Sequence, residues 1–194
     1  MNHNARGGAQ RAARADAQQN RARILAAARA RFAADGIDAQ IDDIAREAGV
    51  AVGTIYHHFG GKEALLEAIV HDSIQQMADY ISGLHNEMDT WADVEQTLRY
   101  IAERQAHDRA LKAMILSQPA LREVSMAGMR AVLIPAIQPV LERAQATGQV
   151  RADVVASDLL LLLAGVPGSA AEPADHQRYL EIILAGLRAG GDAA

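Results

Sequence analysis

The chain has 194 residues, enough for one or two domains, and half of them are hydrophobic. It contains no cysteine, which excludes a disulfide framework or a thiolate metal site and fits a reducing cytoplasm. The net charge of −5 is divided unevenly: residues 1–62 hold nine Arg or Lys against six Asp or Glu, whereas residues 63–194 hold ten against eighteen.

A basic end on an acidic body is the balance expected of a nucleic-acid-binding head joined to a partner-binding domain. The first 31 residues carry seven Arg against the single acid Asp16. Residues 1–18 read as a basic arm, disordered when free and able to order on a phosphate backbone or in a minor groove. A solvated tail without that role is the other reading. The arm is polar throughout, unlike a secretory signal. A first helix is expected from Gln19 to Ala34, burying Ile24, Leu25, Ala28 and Phe32 and stopping at Gly36.

Residues 41–60, "IDDIAREAGVAVGTIYHHFG", read as helix, tight turn and second helix. Ile41, Ile44, Ala45 and Ala48 recur at helical spacing, and Asp42 and Asp43 complement the dipole of the first turn. Gly49 falls where a residue of positive φ would end that helix. In the second helix Val52, Ile55 and Phe59 share one side. Gly53, Thr54 and His57 project to the other, with Tyr56 on the flank. A glycine inside a helix costs about 1 kcal/mol relative to alanine, so Gly53 is explained if a DNA edge approaches the backbone there. The next helix begins at Lys62, a cation at a helix N-terminus, which makes sense where a phosphate docks.

From Asn20 to Val70 the chain resembles the N-terminal domain of TetR-type (tetracycline-repressor-like) transcriptional regulators. The resemblance rests on "ILAAARARFAADGIDA", "IDDIAREAGVAVGTIYHHF" and "GKEALLEAIV", with Gly49, Gly53, Thr54, Tyr56, Phe59 and Lys62 in register. It implies an all-α fold, with a helix-turn-helix domain at 19–65 and a helical effector-binding and dimerisation domain at 66–194. The expected contacts to double-stranded DNA are Gln40, Ala51, Val52, Gly53, Thr54, Tyr56, His57 and Lys62. Val52, Gly53 and Thr54 would approach bases, and Tyr56, His57 and Lys62 would hold phosphates. Gln40 stands where the family often has a capping Ser or Thr. Ala51 and Val52 stand where it often has Ser and Lys. The recognition helix therefore has no Arg or Lys to make a bidentate guanine contact.

Further helices follow: Lys62 to Gly83, Val94 to Gln105, Arg109 to Ser117, and one starting at Pro119 that Pro135 and Pro139 kink or divide and Gly148 ends. Two more come from "ADVVASDLLLLLAGV" and "ADHQRYLEIILAGLRAG", about nine in all, with no period-two strand pattern. The longest apolar run, Leu159 to Val166, is too short to cross a bilayer, and no membrane role is expected. Five consecutive leucines cannot all face one core. The last two helices therefore read either as a central core or as a dimer interface of Leu159, Leu160, Leu163, Tyr179, Ile182, Ile183 and Leu187. The resemblance favours the homodimer, and with it a palindromic operator.

Between head and last helices lie Met77, Tyr80, Ile81, Leu84, Met88, Trp91, Tyr100, Met114, Met126 and Met129, with Arg104, Gln118, His85 and Arg122 as polar neighbours. Flexible thioethers suit a pocket for a mostly apolar small-molecule effector, although the same spacing also fits plain core. The seven histidines are scattered, and the adjacent His57 and His58 diverge by about 100° on a helix, so no metal is expected. No catalytic motif or phosphate-cradling loop is present, and no cofactor is expected. The reading is a cytoplasmic, ligand-responsive DNA-binding regulator. A helical enzyme or adaptor using the helix-turn-helix only for packing is the alternative.

Overall fold

The computed structural model describes residues 3–86, 88–108, 115–164 and 173–190. Among the described residues there are nine α-helices and no strand, in the order α1 His3–Asp35, α2 Ile41–Ala48, α3 Val52–Phe59, α4 Lys62–Ser82, α5 Thr90–His107, α6 Pro119–Gly128, α7 Ile134–Ala146, α8 Ala156–Ala164 and α9 Pro173–Leu187. Helix α1 begins at His3, so no break in secondary structure separates the expected arm from the first domain. The helix expected at 109–117 lies mostly outside the described residues.

Two hydrophobic cores form, and α4 runs through both. Ile24, Leu25, Ala28 and Phe32 of α1 pack with Ile44, Ala45 and Ala48 of α2, Ile55 of α3, and Leu65, Leu66 and Ile69 of α4. Each fully buried Ile, Leu or Phe contributes about 2 kcal/mol, so one shared core holds this small head together. The body's core begins one residue later, with Val70, Ile74, Met77, Ala78 and Ile81 of α4 against α5, α7, α8 and α9. The division between the cores therefore falls inside α4, between Ile69 and Val70. Leu121 of α6 also packs into the head's core.

Helix α5 starts four residues before its expected Val94, because the Asp89 side chain accepts the Ala92 N–H at 3.1 Å and caps it. Gln149 Oε1 accepts the Trp91 N–H (2.6 Å) and the Thr90 hydroxyl (3.0 Å), tying the start of α5 to the end of α7. The Arg188 guanidinium lies 4.1 Å from the Trp91 ring. Asp93, buried, pairs with Arg143 at 3.1 Å and accepts the Asn86 N–H at 2.9 Å.

The expected division at Pro135 and Pro139 occurs upstream. A wide turn at Met129–Leu133 joins α6 to α7, so residues 119–146 are helical without interruption. Pro135 cannot donate to Ala131, and its ring crowds that carbonyl. Widening the turn before it relieves both. This 28-residue run is long and apolar enough to cross a bilayer by length and composition. Leu133, Ile137, Leu141 and Ala144 nevertheless face the body's core, and Arg143 is engaged with Asp93.

Candidate functional site

The helix-turn-helix geometry follows from its glycines and one arginine. Gly49 has φ 65° and lets the Val50 N–H reach back to Ala45 O at 3.0 Å, which ends α2 and starts the turn. Arg23 of α1 donates to the carbonyl oxygens of Ala48 (2.5 and 3.0 Å) and Gly49 (2.9 Å), placing a cation on the negative end of α2. Gly60, at φ 87°, closes α3 on Tyr56 O. Gln40 makes no side-chain cap on α2, and its amide donates to Asp38 O at 2.6 Å.

These constraints set α3 with Ile55 fully buried and Val52 and Phe59 half-buried against the head. The Arg21 guanidinium stands 5.2 Å from the Phe59 ring. Ala51, Gly53, Tyr56 and His57 are exposed, Tyr56 at 53%, and Thr54 is half-buried. Nothing lies within 4 Å of a Cβ built on Gly53. An outer face of small and hydroxyl groups is thus open to a groove edge. Lys62 is half-buried at the N-terminus of α4, and its Nζ donates to Ile37 O, holding the turn after α1 against α4. Sequence reasoning did not anticipate that tether.

A cavity of about 110 Å³ opens in the body beside α4, α5 and α6. Val70, Ile74, Met77 and Met129 supply apolar wall, and Ser73, Arg104 and Asp108 supply polar groups. Of the expected pocket residues only Met77 and Arg104 lie there, with Met129 from the wider methionine set. Ile81 and Trp91 are core. Trp91 is 13 residues before Arg104 on α5, about 20 Å away along the helix. Tyr80 and Tyr100 stack on each other at 3.8 Å, Met88 is 95% exposed, Arg122 and Met126 face outward, and Leu84 lies in the loop before α5. Gln118 precedes the start of α6 without a side-chain cap, and Met114 lies outside the described residues. The stripe on α4 was legible; which part faced a void was not. Helices α6 and α4 approach closely at Gly128, where a Cβ would stand 2.8 Å from Ile74 Cδ1.

The last two helices divide their apolar residues between two sides. Leu159, Leu163, Ile183 and Leu187 are buried in this chain's own core, which corrects their expected place on an interface. The outward face carries Leu161 (74% exposed), Ile182 (57%) and Leu162, with Leu160 and Tyr179 half-buried beside it and the Tyr179 hydroxyl on Leu162 O at 3.0 Å. Arg151 and Asp153, paired at 2.6 Å, flank this face. Their hydrogen bond raises the guanidinium pKa and lowers that of the carboxyl, so both stay charged. Among the described residues no group of three His, Asp or Glu side chains is gathered that could hold a metal.

A helix-turn-helix head sharing one long helix with a cavity-bearing helical body defines a two-part regulator architecture. The profile of "Bacterial regulatory proteins, tetR family" matches residues 24–69, and that of "Transcriptional regulator SbtR-like, C-terminal domain" matches 94–189. The TetR transcription regulatory protein of Mycobacterium vanbaalenii is 31% identical, with TM-score 0.71, over 90% of this chain and 98% of that one. The TetR regulator SCO0520 of Streptomyces coelicolor is also 31% identical, with TM-score 0.62, over 88% and 99%. The regulator SrpR of Pseudomonas putida is 47% identical over 57 residues, 29% of this chain and 27% of SrpR. The chain belongs to the TetR family of bacterial transcriptional regulators, not to a family of enzymes. The matches to SrpR and to TtgW of the same species span only 27% and 42% of those proteins' lengths.

Proposed function

We propose that the chain binds a palindromic DNA operator as a homodimer in the cytoplasm and represses transcription until a small, mostly apolar effector releases it. The observation that carries this reading is the division of α4: Leu65, Leu66 and Ile69 belong to the head's core, whereas Val70, Ile74 and Met77 line the cavity. Anything that alters the cavity wall acts on the same rigid helix that carries the head. In each head Val52, Gly53 and Thr54 meet base edges, with Gln40 and Ala51 at the rim. Tyr56, His57 and Lys62 hold phosphates, and the excess of arginine in residues 1–31 favours the DNA backbone electrostatically. Lacking Arg and Lys, α3 reads methyl groups and groove shape rather than guanine edges.

The homodimer is supported by the exposed face of Leu161, Leu162 and Ile182 on adjacent helices. One eight-residue recognition helix spans too few base pairs for selectivity, and a two-fold axis doubles the reading. Selection of bound DNA from a random pool tests the proposal: it yields an inverted repeat if the reading holds, and no enriched sequence or a single half-site if it does not.

A further inference from the structure

Arg29 of α1 crosses from the head to the body. Its guanidinium donates to Ser73 Oγ (2.6 Å), Asp72 Oδ2 (2.9 Å) and the carbonyl of Ile69 (3.3 Å), all on α4. It also stands 3.9 Å from Asp108, the residue that ends α5. One turn back on α5, Arg104 lies 3.7 Å from the same carboxylate and donates to Gln76 Oε1 at 3.3 Å. A closed guanidinium–carboxylate pair has N–O distances of about 2.7–2.9 Å. Asp108 therefore stands between two arginines and is closed on neither. Both Arg104 and Asp108 belong to the cavity wall.

The rest of that wall sets the ligand's shape and sign. Ile74, Met77 and Met129 offer an apolar slot whose volume of about 110 Å³ is below the roughly 150 Å³ of an apolar cavity that accepts benzene, so it holds no more than one ring. An ammonium ligand would have only Asp108 in this wall, and Arg104 and Arg29 already flank that carboxylate at 3.7 and 3.9 Å. A carboxylate meets Arg104 with planar N–H donors to spare, the geometry that bidentate recognition uses. We propose that this cavity takes a single-ring carboxylic acid, its ring in the apolar slot and its carboxylate on Arg104. Asp108, repelled by the incoming charge, then closes on Arg29 and so carries occupation of the cavity to α1 and the DNA-binding head. The relay rests on the operator-binding reading above; the anion site does not.

Calorimetry on the full chain without DNA, using benzoate, benzamide and benzylamine as probes, tests the site. Benzoate should bind about tenfold or more tighter than benzamide, a difference that a charge-assisted pair supplies. Arg104→Gln should remove that preference, and Asp108→Asn should keep or strengthen it. Equal binding of benzoate and benzamide, a preference for benzylamine, or no binding of any probe at millimolar concentration overturns the anion site. Operator affinity with and without benzoate then tests the relay. Benzoate should weaken DNA binding severalfold in the unaltered chain, and DNA should weaken benzoate by the same factor. In Asp108→Asn and Arg29→Gln chains that still bind benzoate, the ratio should fall to near one. An unchanged ratio in Asp108→Asn overturns the relay. A chain that selects no DNA overturns it together with the operator reading, while the benzoate preference is judged independently.

Discussion

Arg23 closes on Ala48 with two N–H groups, at 2.5 and 3.0 Å, and so joins α1 to the end of α2 where the chain turns toward the recognition helix. A charged hydrogen bond of this kind contributes about 1.5–3 kcal/mol, so Arg23→Gln should lower stability by roughly that amount in urea unfolding. Gly49→Ala should cost about 1–2 kcal/mol, because its φ of 65° disfavours a Cβ that would also stand 2.9 Å from the Arg23 guanidinium. The two changes act on one contact, so the double variant should lose less than their sum. Strict additivity would mean that the arginine does not hold the turn.

Lys62 has two expected roles that separate by salt dependence. Its bond to Ile37 O makes Lys62→Ala mildly destabilising, about 1 kcal/mol. Loss of a phosphate contact should weaken binding to all DNA sequences about equally and flatten the salt slope by roughly one unit. A changed sequence preference with an unchanged slope would show that Lys62 acts on DNA only through the turn it tethers.

Charge substitutions on α8 and α9 should divide by face. Leu161→Glu and Ile182→Glu should leave helicity intact while halving the mass in sedimentation, since both residues are exposed in the single chain. Ile183→Glu and Leu187→Glu should instead unfold the body, because an unpaired charge in the core costs about 3 kcal/mol or more. A dimer that survives both outer substitutions would exclude this face as the interface.

Asp93 and Arg143 hold the loop after α4 against α7. Asp93→Asn leaves the half-buried guanidinium facing a neutral amide and should cost about 1.5–3 kcal/mol. Its effect on DNA affinity under native conditions should be small, since the pair lies in the body and away from α3. Thermal unfolding beside a DNA titration separates the two.

The helix-turn-helix was legible in the sequence, because Ile44, Ala45, Ala48 and Ile55 repeat at helical spacing and Gly49 marks the turn by its backbone freedom; the start of the first helix was not, since α1 begins at His3 rather than at Gln19. The body was legible as helices and little more. Leu159 and Leu161 are the same residue type two positions apart, yet one is core and the other surface; only the packing of α8 on α7 and α5 distinguishes them. Of the described pocket residues expected on the middle helices, only Met77, Arg104 and Met129 line the cavity, because methionines and aromatics on a stripe do not reveal where helices separate. One missed signal was available. Arg29 falls four residues after Leu25 on the buried side of α1, and a cation at such a position requires an ion pair, which Asp72 supplies at 2.9 Å.

The measurement that bears most directly on the account is a salt-dependent titration of the selected operator with the unaltered chain and with Thr54→Ala and Tyr56→Ala chains. Specific binding should fall steeply with salt. Thr54→Ala should lower the preference for operator over random DNA by about 1–3 kcal/mol with the salt slope kept. Tyr56→Ala should weaken both DNAs alike. Equal affinity of all three chains for operator and random DNA would contradict the assignment of α3 as the reading helix.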